Sequence, residues 1–200
     1  MSGIIAQNSG RHTGLVKASS AGGVWNLIET LTASSDATLD FTSGIDSTYD
    51  EYVFKFINIH PETDNQDIQF NASIDGGSNY NVTKTSTTWQ AQHDEADSET
   101  ALQYNTDRDL AQGTGAQRFS LQIGNANDEC VAGTLHIFSP SDTTFAKHYL
   151  ATVNGYNGSD YSQQLFTGGY MNTTSAVDAI QFSFQSGDID AGSISLYGIS

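Results

Sequence analysis

One cysteine, two prolines and seven basic residues are all that 200 positions hold of those three kinds. The lone Cys130 rules out an intrachain disulfide and any cysteine-based metal cluster. It stands beside Val131 and Ala132 at the head of a strand-like run, where we expect a small buried hydrophobe. Seven Lys and Arg against 23 Asp and Glu leave a formal charge of −16. A field of that sign repels nucleic acid and anionic lipid, so no nucleic-acid partner is expected. No run approaches the ~20 apolar residues of a transmembrane helix, so no membrane insertion is expected either. The opening Met1-Ser-Gly-Ile-Ile-Ala6 has neither the basic region nor the apolar segment of a secretory signal, which predicts a soluble cytosolic product.

What the chain does hold is turn chemistry. Nineteen glycines, with abundant Ser, Thr, Asn and Asp, separate short β-branched and aromatic runs. That punctuation predicts an all-β protein, an antiparallel β-sandwich of jelly-roll-like form. At this length one domain suffices, and its core needs no disulfide or metal. Residues 1–23 differ from the remainder: they carry Arg11, His12 and Lys17, and the first acidic residue is Glu29. We read 1–23 as an extended N-terminal arm and 24–200 as a single β-sandwich domain. A basic arm beside an acidic body suits docking on a neighbouring subunit, with Arg11, His12, Leu15 and Lys17 as the partner-binding residues.

The densest apolar run is Val53-Phe-Lys-Phe-Ile-Asn-Ile59, entered through a polar turn at Ser43–Asp46 and closed by Pro61. It reads as a central strand whose Phe54, Phe56, Ile57 and Ile59 hold the sandwich together. Further strands are expected at Trp25–Leu31, Asp36–Thr42, Asp67–Ile74, Asn81–Trp89, Arg118–Ile123, Val131–Phe138, Phe145–Val153, Leu165–Met171, Ala179–Phe184 and Ser193–Ile199, about eleven in all. Asp75-Gly-Gly77 reads as a hairpin turn joining Asp67–Ile74 to Asn81–Trp89. Residues 90–116 are the least regular, with a helical turn expected at Ala96–Leu102.

Constellations for chemistry are thin. Serines and histidines abound, yet no Gly-x-Ser-x-Gly elbow singles out a nucleophile. His136 and His148 could meet if their strands pair, but no zinc motif accompanies them, and hydrogen-bonded histidines on a half-buried sheet face are the plainer reading. Calcium is the metal the loops suit best: Asp64–Asp67, Asn125–Glu129 and Asp188–Asp190 cluster oxygen donors, though none has EF-hand spacing. Each also reads as a solvated turn. Aromatics at loops and strand ends, Trp89, Tyr104, Tyr156 and Tyr161 among them, could stack on sugar rings or bury between subunits. Paired carboxylates for glycoside hydrolysis are a question of three-dimensional separation.

Four segments together carry a likeness: Gly23–Thr30, Ser43–Phe54, Asn172–Phe182 and Gly187–Gly198. They resemble small structural proteins of tailed phages, especially marine ones, across roughly Gly23 to Ile199. The resemblance implies a non-enzymatic virion component, a head decoration protein or a tail-fibre or adhesin subunit. It also implies a β-sandwich module that assembles as a homo-oligomer, a trimer in our expectation, against other virion proteins. The resemblance supplies no catalytic residue. A carbohydrate-binding module that recognises a host-surface glycan, and a glycan hydrolase, are the alternative readings.

Overall fold

A computed structural model describes residues 24–200. The proposed arm, including Arg11, His12, Leu15 and Lys17, lies outside the described residues. As the punctuation predicts, the described chain is all-β, with two antiparallel sheets packed face to face. Twelve strands are described: β1 (Trp25–Thr32), β2 (Leu39–Phe41), β3 (Glu51–Pro61), β4 (Ile68–Ser73), β5 (Lys84–Asp94), β6 (Thr100–Tyr104), β7 (Gln117–Arg118), β8 (Val131–Phe138), β9 (Lys147–Tyr156), β10 (Tyr161–Met171), β11 (Ala179–Phe184) and β12 (Ile189–Ile199). Eight form the large sheet in the order β1-β12-β3-β8-β9-β10-β5-β6, and four form the small sheet in the order β2-β11-β4-β7.

β3 sits third from one edge of the large sheet, between β12 and β8. Its Phe54, Phe56 and Ile59 point at the small sheet and are buried. Phe182 of β11 meets Phe41, Phe54, Phe56 and Phe119 at ring separations of 5.1–6.5 Å, mostly edge to face. Such pairs add about 0.5–1.5 kcal/mol each beyond the area they bury. Phe70 and Tyr149 continue the same aromatic seam, 5.1 Å apart.

Ile57 departs from expectation. It is 42% exposed, because alternation from Phe54 and Phe56 turns it outward with Lys55; a bulge then interrupts the pleat before Ile59, and Asn58 takes a positive φ of 52°. The bulge is matched across the ladder by Gly192, at φ 104°, where a Cβ would stand 2.3 Å from the Asn58 carbonyl oxygen. The extra residue shifts the alternation by one and so returns Ile59 to the core.

Three further expectations need correction. Asp75-Gly-Gly77 does not close a hairpin: β4 pairs with β11 and β7, while β5 pairs with β10 and β6 in the other sheet. The turn therefore carries the chain from one sheet to the other. Ala96–Leu102 contains no helical turn, since Thr100–Tyr104 is an edge strand paired with β5. Of Arg118–Ile123 only Arg118 joins a named strand; Ile123 forms isolated bridges to Gln66 and Asn157, and the Phe119 amide donates to the Ile68 carbonyl.

Candidate functional site

Side chains alternate across the large sheet, so the register decides which of them share its outer face. Trp89 of β5 stands opposite Phe166 of β10 and Tyr104 of β6. The Trp89 and Phe166 rings stack at 4.1 Å and 13°. Phe166 pairs onward with Thr152 of β9, and Gly168 in the neighbouring row stands between Thr87 and Leu150. Because Gly168 has no side chain, a shallow groove of about 340 Å³ opens between the stacked rings and Leu150, with Thr87 and Thr152 on its walls. Trp89 is 42% exposed, Tyr104 51%, Leu150 53% and Leu102 74%.

The strand positions of the same face carry no charge. Following the pairing outward from Trp89, β5 presents Thr85, Thr87, Ala91 and His93, and β10 presents Ser162, Gln164, Gly168 and Tyr170. β9 presents His148, Leu150, Thr152, Asn154 and Tyr156, and β6 presents Thr100 and Leu102. None of these is a carboxylate, a lysine or an arginine, in a chain with 23 acids.

Tyr156 and Tyr161 lie away from this platform, at the far end of the sheet. Tyr156 helps line an open cleft of about 490 Å³ with His93, Asp94, Glu95, Asn154 and Ser162. Its hydroxyl, desolvated and bonded to Asp160, is pushed up to about 12. Tyr161 donates to Glu99 Oε2 at 2.9 Å, a bond that holds its phenol above the usual range. Tyr104 behaves alike toward Asp109 at 2.7 Å. Of the four aromatics picked from sequence, the structure thus unites Trp89 with Tyr104 and leaves Tyr156 and Tyr161 in a separate acidic corner. Within that corner Asp94 is occupied structurally: it accepts from the Ser98 hydroxyl and from the Ser98 and Glu99 amides, which lower its pKa.

The oxygen-rich loops are engaged with the protein itself. Asp67 is not on a solvated turn. It is wholly buried, with Oδ2 2.9 Å from Arg108 Nε and 3.6 Å from Arg118 Nη1, while Oδ1 accepts the Gln122 amide at 2.6 Å. Glu129 folds back to accept the Ala126 amide at 2.6 Å. Asp190 accepts from Ser35 Oγ at 3.1 Å and stands 3.5 Å from His60. Among the described residues, no group of three or more His, Cys, Asp or Glu side chains could hold a metal ion.

His136 falls as the plainer reading expects, half-buried against Glu51 at 2.6 Å, whereas His148 is exposed and lies beside the Tyr170 ring rather than in a hydrogen bond. Cys130 is only half-buried, because its strand begins one residue later, and burial raises its thiol pKa. Phe166, Leu150 and Gly168 escaped the sequence reading, because only the cross-strand register brings them to Trp89. No helix among the described residues is long and apolar enough to cross a membrane. Neither a protein-family model nor a curated protein matches the chain.

Proposed function

We propose that the chain is a non-enzymatic structural module that assembles with copies of itself through the outer face of β6, β5, β10 and β9. The observation that carries this reading is the coincidence, on one face, of exposed Trp89, Tyr104, Leu102 and Leu150 with outward strand positions that carry no acidic side chain, the nearest carboxylates, Asp109 and Glu95, standing at its rim. Two bodies of charge −16 repel each other wherever their acidic surfaces meet. They can pack closely only where charge is missing, and aromatic residues are what such contacts bury best. The segments that resemble tailed-phage structural proteins point the same way, to a head decoration or tail-fibre subunit on a virion. In that setting the basic arm at 1–23 holds the acidic body to its neighbours.

Sedimentation of the wild type beside Trp89→Ser and Leu150→Ser tests this. The reading expects an oligomer that both substitutions weaken. A wild type that sediments as a monomer at high concentration overturns it.

A second reading has one specific observation in its favour, the groove between the Trp89–Phe166 stack and Leu150. Its threonine walls and aromatic side suit a sugar ring, with a host-surface glycan as ligand. A glycan array on the wild type decides it, and signal that survives Trp89→Ser counts against this groove.

A further inference from the structure

Lys84, the first residue of β5, is fully buried, and among the described residues it pairs with no carboxylate. An ammonium in that position is costly unless compensated. Its Nζ instead donates to two neutral oxygens, Val82 O at 2.8 Å and Asn71 Oδ1 at 2.5 Å. Asn71 is itself buried in β4 of the opposite sheet, and each part of its amide is held. The Ala72 amide donates to Oδ1 at 2.9 Å, and Nδ2 donates to Tyr80 O at 2.6 Å and Thr114 O at 3.1 Å. The Asn71 carbonyl carbon is one C=O bond from Oδ1, so the lysine nitrogen lies within about 4 Å of it.

We propose that Lys84 and Asn71 are a modification site, at which the two side chains join in an isopeptide bond between the two sheets. The Nζ lone pair adds to Cγ, and the carbonyl electrons move to Oδ1, where the Ala72 amide stabilises the developing charge. Collapse breaks the Cγ–Nδ2 bond, the proton lost by Nζ passes to Nδ2, and ammonia leaves. One amide replaces another, so nothing is oxidised or reduced and no co-reactant is needed. Ordinary asparagine deamidation expels ammonia from the same carbon, using a backbone amide nitrogen that is a far poorer nucleophile than an amine.

The packing supplies what the step requires. Holding two groups in contact replaces a bimolecular encounter and can be worth an effective molarity of about 10⁵ M or more. The amine must also be neutral. Burial pulls the Lys84 pKa down to about 8, so about a tenth of the amine carries a free lone pair at pH 7 and more as pH rises. The elements packed on it bring no titratable side chain into hydrogen-bond contact: Asn71 from β4, Val82 from the turn, Gly113 from the β6–β7 connection and Met171 from β10. Among the described residues the other buried lysine, Lys147, differs in donating only to the Phe145 and Thr173 backbone carbonyls, which cannot be acylating partners.

The test is the intact mass of the purified full chain, followed by peptide mapping. The proposal expects a mass lower than that of the sequence by one ammonia, and a peptide in which the segment containing Asn71 is joined to the segment containing Lys84. It also expects trypsin to miss Lys84, and any residual conversion to run faster at about pH 9 than at pH 7 as the amine loses its proton. Lys84→Met should restore the full mass. Because a succinimide at an asparagine also loses ammonia, a loss that persists in Lys84→Met, or one without the joined peptide, overturns the proposal. So does folded wild type that keeps the full sequence mass through long incubation at about pH 9. The wild-type result stands by itself if the variant fails to fold. It does not depend on self-assembly.

Discussion

Replacing Asp67 by Ala removes a carboxylate that Arg108 and Arg118 share, leaving Arg108, among the described residues, only the exposed Asp107 at 3.9 Å. The side chain is wholly buried, while Arg108 and Arg118 keep 12% and 28% of their side chains exposed. Deleting one partner of a buried pair costs about 3–5 kcal/mol, because the surviving charge is left uncompensated. Arg118 can turn into water and Arg108 can do so in part, which places the expected loss near the lower end, about 3 kcal/mol. The Gln122 amide loses its acceptor as well. For a chain of this size that corresponds to a melting temperature lower by about 6–12 °C. Asp67→Asn retains an oxygen for the Gln122 amide and loses only the charge, so it should fall between wild type and Asp67→Ala. Urea denaturation monitored by circular dichroism reads all three. An Asp67→Ala protein within about 0.5 kcal/mol of wild type would show that the pair contributes nothing and refute the reasoning.

Other expectations follow from the same contacts. Phe182→Ala empties the centre of four aromatic contacts and should cost about 3–5 kcal/mol in the same denaturation assay. Gly192→Ala forces a side chain into the left-handed region and against the Asn58 carbonyl, so its stability should fall by more than the ~1 kcal/mol typical of point substitutions. Asp94 has its pKa lowered by bonds to Ser98 and Glu99, so its contribution is present above the unfolded carboxyl value and fades as pH falls through the folded one. Hydrogen exchange at the Ser98 and Glu99 amides should therefore accelerate, relative to the intrinsic rate, below about pH 4.

Much of the architecture was legible because strand periodicity and turn residues are local signals. Val131–Phe138 and Ala179–Phe184 fall at the expected residues, and Phe54 and Phe56 carry the core as their spacing demands. Pairing was less legible. Asp75-Gly-Gly77 has the composition of a hairpin turn, but composition does not say whether the next strand stays in the sheet. The Asn58 bulge was hidden likewise, since asparagine within an apolar run looks like any outward-facing polar residue until its φ is known. Trp89 and Tyr104 stood out by type, whereas Phe166, Gly168 and Leu150 join them through a register that follows from the whole sheet. Asp67, Arg108 and Arg118 lie too far apart in sequence for any local pattern to unite them, and Lys84 with Asn71 is invisible for the same reason.

The central claim is that the outer face of β6, β5, β10 and β9, whose strand positions carry no charge, is where copies of this chain meet. Light scattering on the full-length protein across a wide concentration range tests it most directly. The account predicts a discrete assembly, a trimer, whose mass drops toward that of a single chain in Trp89→Ser. A single-chain mass at every concentration, or an assembly that Trp89→Ser and Leu150→Ser leave intact, would contradict it.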